Sequence, residues 1–111
     1  MHLEVTFKNL RARDEVRARA VALFEKLERF LDPHSDGTLV VSVEHGKALM
    51  ELVVRAMGET HTVNEEHEEL RTALDKAFHT MEVRLRRAKE RKVDRNHGSG
   101  PQEDGFSPND G

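Results

Sequence analysis

The sequence predicts an α+β fold: a two-layer sandwich, β-α-β-β-β-α, in which a four-stranded sheet carries two helices on one face. Three observations predict it. Two segments repeat apolar residues every three or four positions, the period of an amphipathic helix. Four runs are β-prone and mostly alternate apolar with polar residues, the period of a strand half-buried on one face. Isolated glycines at 46 and 58 separate the later runs at the spacing of tight returns. A sheet with one apolar face and two helices with one apolar stripe each bury those surfaces only by stacking.

Each element has its own signal. Residues 2–8 alternate, with Leu3, Val5 and Phe7 on one face. The first helix is expected from Asp14 to Leu31, carrying Val16, Ala20, Leu23, Phe24, Leu27, Phe30 and Leu31 on its stripe. Asp32-Pro33 ends it, because the residue before proline avoids helical angles. A strand follows over Thr38–Glu44 with Leu39, Val41 and Val43 on one face, then the turn His45-Gly46. Ala48–Ala56 directs Met50, Leu52, Val54 and Ala56 inward, and Met57-Gly58 ends it. Thr60–Val63 is expected as a shorter strand, so this part forms an antiparallel meander. Asn64 suits an N-cap, with Glu65, Glu66, Glu68 and Glu69 in the first helical turn, where the helix dipole favours acids. The second helix is then expected from about Glu65 to Lys92, roughly 40 Å long, with Leu70, Leu74, Ala77, Phe78, Met81, Leu85 and Ala88 on its stripe. The α-β-β-β-α part has the order of the double-stranded-RNA-binding fold.

From Asn96 the composition changes. Residues 96–111 hold four of the seven glycines, two of the three prolines, the acids Glu103, Asp104 and Asp110, and neither lysine nor arginine. The expected organisation is one α+β domain over 1–95 and a disordered acidic tail over 96–111.

Charge carries the functional signal. Arg84 to Arg95 contains seven basic residues and two acidic ones, a local net charge of +5 in a chain that is formally −3. Two or three bases at a helix C-terminus are accounted for by the dipole, at roughly 0.3–1 kcal/mol each. Seven are not, because like charges repel, so the end of this helix reads as a surface for a polyanion. At 100° per residue Arg84, Arg87 and Arg91 lie on one flank of the apolar stripe, and Arg86 and Lys89 on the other. Lys92 closes the run. On the first helix Arg19 and Lys26 share a face, with Arg29 beside them. If both helices cover the same face of the sheet, their polar sides border a groove. These faces offer Lys26, Arg29, Arg84, Arg86, Arg87, Lys89, Arg91 and Lys92 as candidate contacts for a polyanion, and RNA as that polyanion is what the resemblance given below implies. There is no Trp or Tyr and only five Phe, which argues for phosphate contacts and shape over base stacking.

Other functions find little support. No cysteine is present for disulfides or thiolate metal sites. The seven histidines lack metal-site spacing and read as surface residues, so neither metal nor cofactor is expected. No nucleophile, base and oxyanion site occur together, and no phosphate-binding glycine motif is present, so no enzyme and no small-molecule substrate are expected. No apolar stretch is long enough for a signal peptide or a membrane span, which points to the cytoplasm and away from membranes.

The residues also resemble a known family. Val5-Thr6-Phe7-Lys8-Asn9, Glu25-Lys26-Leu27-Glu28-Arg29-Phe30, Val43-Glu44, Glu51, Gly58, Glu66-His67-Glu68-Glu69-Leu70, Ala73-Leu74-Asp75 and Leu85-Arg86-Arg87-Ala88-Lys89 follow in order. From Val43 to Lys92 their spacing is ungapped. The chain resembles the short ribosome hibernation promoting factor and ribosome-associated inhibitor family, also called the sigma-54 modulation family. The resemblance implies the same β-α-β-β-β-α fold. It also implies binding to 16S ribosomal RNA of the 30S ribosomal subunit, in the cleft between head and body. There the family covers tRNA and mRNA positions and silences translation in stress or stationary phase. The family's basic contacts fall on Lys26, Arg86, Arg87, Lys89 and Arg91, and the helix geometry adds Arg84 and Arg29. The sequence departs from the family at Arg13, where a Thr or Ser cap is usual, and at Gly46-Lys47-Ala48, which replaces a hairpin richer in His and Arg. Long members carry a C-terminal dimerisation domain that a chain of this length is expected to lack, so a monomer is expected off the ribosome. The alternative reading is a protein-interaction or transcription-modulating module that docks its basic helix end on an acidic partner.

Overall fold

The computed structural model describes the backbone of residues 1–98 and the side chains of residues 1–93. Its elements are β1 (His2–Lys8), α1 (Asp14–Glu25), a 3₁₀ turn (Glu28–Phe30), β2 (Asp36–Glu44), β3 (Lys47–Ala56), β4 (Glu59–His67) and α2 (Leu70–Gly98). The expected two-layer α+β architecture is present. The sheet order is β1-β2-β3-β4, with β1 parallel to β2 across the α1 crossover and β2, β3 and β4 antiparallel neighbours. Both hairpins turn on two residues of positive φ, His45 (53°) and Gly46 (75°), then Met57 (55°) and Gly58 (74°). This is the backbone that matches the twist of paired strands, and glycine takes the second position without a steric cost.

The alternation read from the sequence sorts the strands correctly. Leu39, Val41, Met50, Leu52, Val54 and Val63 are buried on the helix side of the sheet. Ala73, Leu74, Ala77, Phe78, Met81 and Leu85 of α2 pack onto them, together with Val16, Ala20 and Phe24 of α1. Close packing extends to Gly37, where an added Cβ would lie 2.9 Å from the Phe24 ring and 3.1 Å from Leu3.

Three expected boundaries are corrected. The first helix does not run to Leu31. It ends at Glu25, and the chain tightens into i→i+3 bonds: Leu27 to the Phe24 carbonyl (2.9 Å), Phe30 to Leu27 (2.8 Å) and Leu31 to Glu28 (3.0 Å). The tighter winding keeps Leu27 and Phe30, three residues apart, on the buried side.

The second correction concerns Asn64 to Glu69. Asn64 is not a helix cap and Glu65 does not begin a helix. β4 continues to His67, pairing Asn64 with Glu51, Glu65 with Met50, Glu66 with Leu49 and His67 with Ala48. The first turn of α2 contains no acid. Ladder hydrogen bonds to β3 outweigh the dipole preference, and Lys47 adds a cross-strand ion pair to Glu66 at 3.5 Å. Two side-chain bonds order the turn between β4 and the helix. The His67 Nδ1 accepts the Glu69 N–H (2.9 Å), and Thr72 donates its hydroxyl to the Glu69 carboxylate (3.0 Å).

α2 also runs past its expected end at Lys92, through Gly98. Its 29 residues span about 43 Å, longer than the nine-residue β4 at about 30 Å. The helix therefore overhangs the sheet. The tail expected from Asn96 does not begin there: residues 96–98 continue α2, and from 99 onward it lies outside the described residues.

Candidate nucleic-acid interface

The overhang carries the basic residues. Ala88 is buried, but Arg84, Arg87, Lys89 and Arg91 are exposed and Arg86 and Lys92 are half-buried. The two flanks read from helical spacing have different neighbours in the fold. The flank of Arg86 and Lys89 faces the end of α1. There Glu82 lies 3.7 Å from Arg29 and 3.7 Å from Arg86, and the Lys89 Nζ donates to the Arg29 carbonyl at 3.3 Å. The Phe30 ring has the Arg29 guanidinium 4.8 Å and the Lys89 ammonium 5.8 Å from its centroid. These contacts hold Arg29, Arg86 and Lys89 together where the turn after α1 meets α2. Both ion pairs are long and solvent-facing, the weak class that a phosphate can displace.

The other flank meets the outer edge of the sheet. The Arg84 Nη1 donates to the Thr62 carbonyl at 2.6 Å. Arg17 does the same at the opposite edge, where its Nη1 donates to the Val5 carbonyl at 3.1 Å. Each edge strand thus has one carbonyl occupied by a helix arginine, which blunts the edge against pairing with another chain. Arg84 has a structural task that helical spacing did not reveal. Among the described residues Lys26, Arg87, Arg91 and Lys92 make neither ion pairs nor side-chain hydrogen bonds. Lys26 caps α1 with its backbone, its N–H reaching the Ala22 and Leu23 carbonyls.

Beneath the Arg84 flank lies His61, the one histidine here that departs clearly from the surface expectation. Its side chain is 10% exposed, and its Nε2 lies 3.4 Å from Glu59 without a hydrogen bond. Burial pushes its pKa down from the ordinary value, the charges of Arg84 and Arg91 add to that, and Glu59 opposes it. The imidazole is therefore a neutral floor under a cationic helix end.

At the other end of the helix pair a groove runs over Val16, Leu70 and Leu74, rimmed by Arg13, Arg19 and Arg71 together with Glu15 and Glu69. Arg19 grips Asp75 through Nε (2.8 Å) and Nη2 (3.0 Å), a bidentate bond that raises its pKa and ties the helices together. Arg13 precedes α1 without a side-chain cap bond, in keeping with the missing Ser or Thr. Sequence reasoning missed Glu82, Arg17 and Thr62. Only Glu82 had a local signal, its spacing of four from Arg86. Among the described residues no group of three His, Asp or Glu side chains is placed to hold a metal ion, and no helix is long and apolar enough to cross a membrane.

Fold and surface define a small α+β binding domain with a cationic helix end. The chain belongs to the Sigma 54 modulation protein / S30EA ribosomal protein family, whose profile matches residues 3–93. This is a family of ribosome hibernation factors and not of enzymes. A ribosome hibernation promoting factor from Azotobacter vinelandii is 25% identical over 101 residues, covering 91% of this chain and 94% of the relative. The N-terminal domain of Thermus thermophilus Protein Y superposes with a TM-score of 0.73 at 27% identity, covering 78% of this chain and 98% of that one. A ribosomal subunit interface protein from Coxiella burnetii shares the fold, with a TM-score of 0.65 at 20% identity over 81% of this chain and 99% of that one.

Proposed function

We propose that this protein is a cytoplasmic hibernation factor that binds 16S ribosomal RNA in the cleft between head and body of the 30S subunit. It excludes tRNA and mRNA there during stress or stationary phase. Family membership supports ribosome association. The observation that carries the placement of the contact is the overhang of α2, where basic side chains project beyond the apolar core. Lys26, Arg29, Arg86, Arg87, Lys89, Arg91 and Lys92 supply the phosphate contacts, and Arg84 joins them from its anchored position on β4. Inhibition is by occupation and needs no chemical step. With few aromatic residues, specificity comes from the shape of the cleft.

The test is co-sedimentation of the full chain with 30S subunits across a salt series. Each phosphate contact contributes about 0.7–0.9 logarithmic units of affinity per decade of salt, so the eight bases named give a slope of roughly −6 to −7 when all of them make contact. The triple change Arg86→Glu, Arg87→Glu, Lys89→Glu should abolish binding while the circular dichroism spectrum stays native. A folded triple mutant that still binds with the wild-type slope refutes the assignment. Binding in ribosome-free fractions to an acidic protein points to the interaction-module reading instead.

A further inference from the structure

The basic overhang and the residues that follow it are matched in sign, reach and polarity. Arg84, Arg86, Arg87, Lys89, Arg91 and Lys92 lie between six and fourteen residues before Gly98, about 9–21 Å back along the helix. Residues 99–111 carry Glu103, Asp104 and Asp110 and not one base. Glu103 and Asp104 follow Gly98 by five and six residues, a span of up to about 17–21 Å when extended. Asp110, twelve residues on, has a reach of up to about 40 Å. Gly100-Pro101 is a sequence that breaks a helix, which suits a chain that must reverse along its own helix. The match extends to apolar groups. Val93 is 45% exposed on the overhang, and Phe106 is the one large apolar side chain in the segment that follows.

We propose that residues 99–111 dock back on the basic face of α2, with Glu103, Asp104 and Asp110 opposite its arginines and lysines and Phe106 against Val93, and that RNA must displace them to bind. The segment is an intramolecular stand-in for phosphate. Tethering gives it an effective concentration in the millimolar range, enough to compete with weak, non-specific polyanions. A ribosomal cleft that engages many of the bases at once displaces it. The docked segment therefore lowers affinity for stray RNA more than affinity for the proper site. The docking stands on this chain's own charges, and the competition rests on the RNA-binding reading above.

The experiment uses the full chain with Glu103→Gln, Asp104→Asn and Asp110→Asn together, and separately with Phe106→Ser. Without RNA, two-dimensional amide spectra of wild type and triple variant should differ at Arg84 to Val93 as well as at the altered sites, and high salt should erase the difference. Phe106→Ser should move the same helix amides by less. With a labelled oligouridylate as probe, the triple variant should bind about three- to tenfold more tightly in low salt, as follows if the docked form makes up most of the free protein. With 30S subunits the gain should be smaller. Helix amides that do not respond overturn the docking. A response at the Arg13, Arg19 and Arg71 groove in their place assigns the segment elsewhere and also overturns it. Amides that respond without any gain in oligouridylate affinity overturn the competition. If neither protein binds RNA or 30S subunits, the proposed function fails while the amide shifts still decide the docking.

Discussion

The two halves of α2 are one continuous helix under different constraints. From Leu70 to Leu85 the helix lies over the sheet, and Ala73, Leu74, Ala77, Phe78, Met81 and Leu85 are all buried. From Arg86 onward only Ala88 is buried among the described side chains, and the surface is cationic. In the first half a change of one methylene disturbs close packing, while charge is tolerated only at the margins. In the second half packing asks almost nothing, so charge can accumulate to the limit set by its own repulsion. The difference shows how a small domain offers a concentrated charge without weakening its core. It extends a rigid rod beyond the core and anchors the rod by its other end.

The largest effect should come from testing that division directly. Leu85 is fully buried at the boundary between the halves. Leu85→Ala should cost about 2–5 kcal/mol in urea unfolding through lost burial and a cavity. Arg87→Ala, two residues on and exposed, should stay within about 0.5 kcal/mol of wild type. Comparable losses for the two would show that the overhang contributes to stability and would dissolve the contrast.

That boundary was legible in the sequence, because an apolar stripe that stops at Ala88 while the helix signal continues has no other reading. The strands β1 to β3 were legible for the same reason, being periodic with one face fully apolar. β4 beyond Val63 was not. Asn64, Glu65, Glu66 and His67 are polar on both faces, so alternation carries no signal there, and their composition suits a helix start. Pairing with residues 48–51 of β3 decides the matter, and that is a non-local term. The candidate site divides in the same way. The bases could be counted from the chain, and the flanks followed from 100° per residue. The contact of Arg29 with Glu82, of Lys89 with the Arg29 carbonyl and of Arg84 with β4 join residues 22 to 60 positions apart and needed the fold.

A moderate effect should appear with pH, at the place where the overhang flank meets the sheet. His61 has its pKa lowered in the folded state, first by burial and then by Arg84 and Arg91. The unfolded chain, with an ordinary histidine near 6.5, therefore binds more protons at mildly acidic pH. Stability from this group is fully present above about pH 6.5 and is lost as pH falls through the lowered folded value. In His61→Gln the fall in stability below about pH 6.5 should be shallower than in wild type. Parallel profiles for the two proteins would mean that the buried imidazole is not the group that titrates.

The smallest effect belongs to the anchored half. Arg19 and Asp75 bridge α1 and α2 with two bonds, 2.8 and 3.0 Å, but their side chains are 37% and 42% exposed. A bidentate fork fixes geometry well, yet water and salt screen a pair this open. Asp75→Asn retains the size of the side chain and one acceptor, so it should lower Tm only slightly in dilute buffer. The difference from wild type should shrink further toward 1 M salt, where the screening length falls to about 3 Å. The change also removes the partner of Arg19 in a groove lined by Arg13 and Arg71 as well as Glu15 and Glu69, far from the overhang. If the overhang alone is the RNA contact, affinity for 30S subunits should not move. A clear gain in affinity for Asp75→Asn would mean that RNA also follows the interhelical groove toward the anchored end, and the functional contrast between the two halves would have to be redrawn along its length.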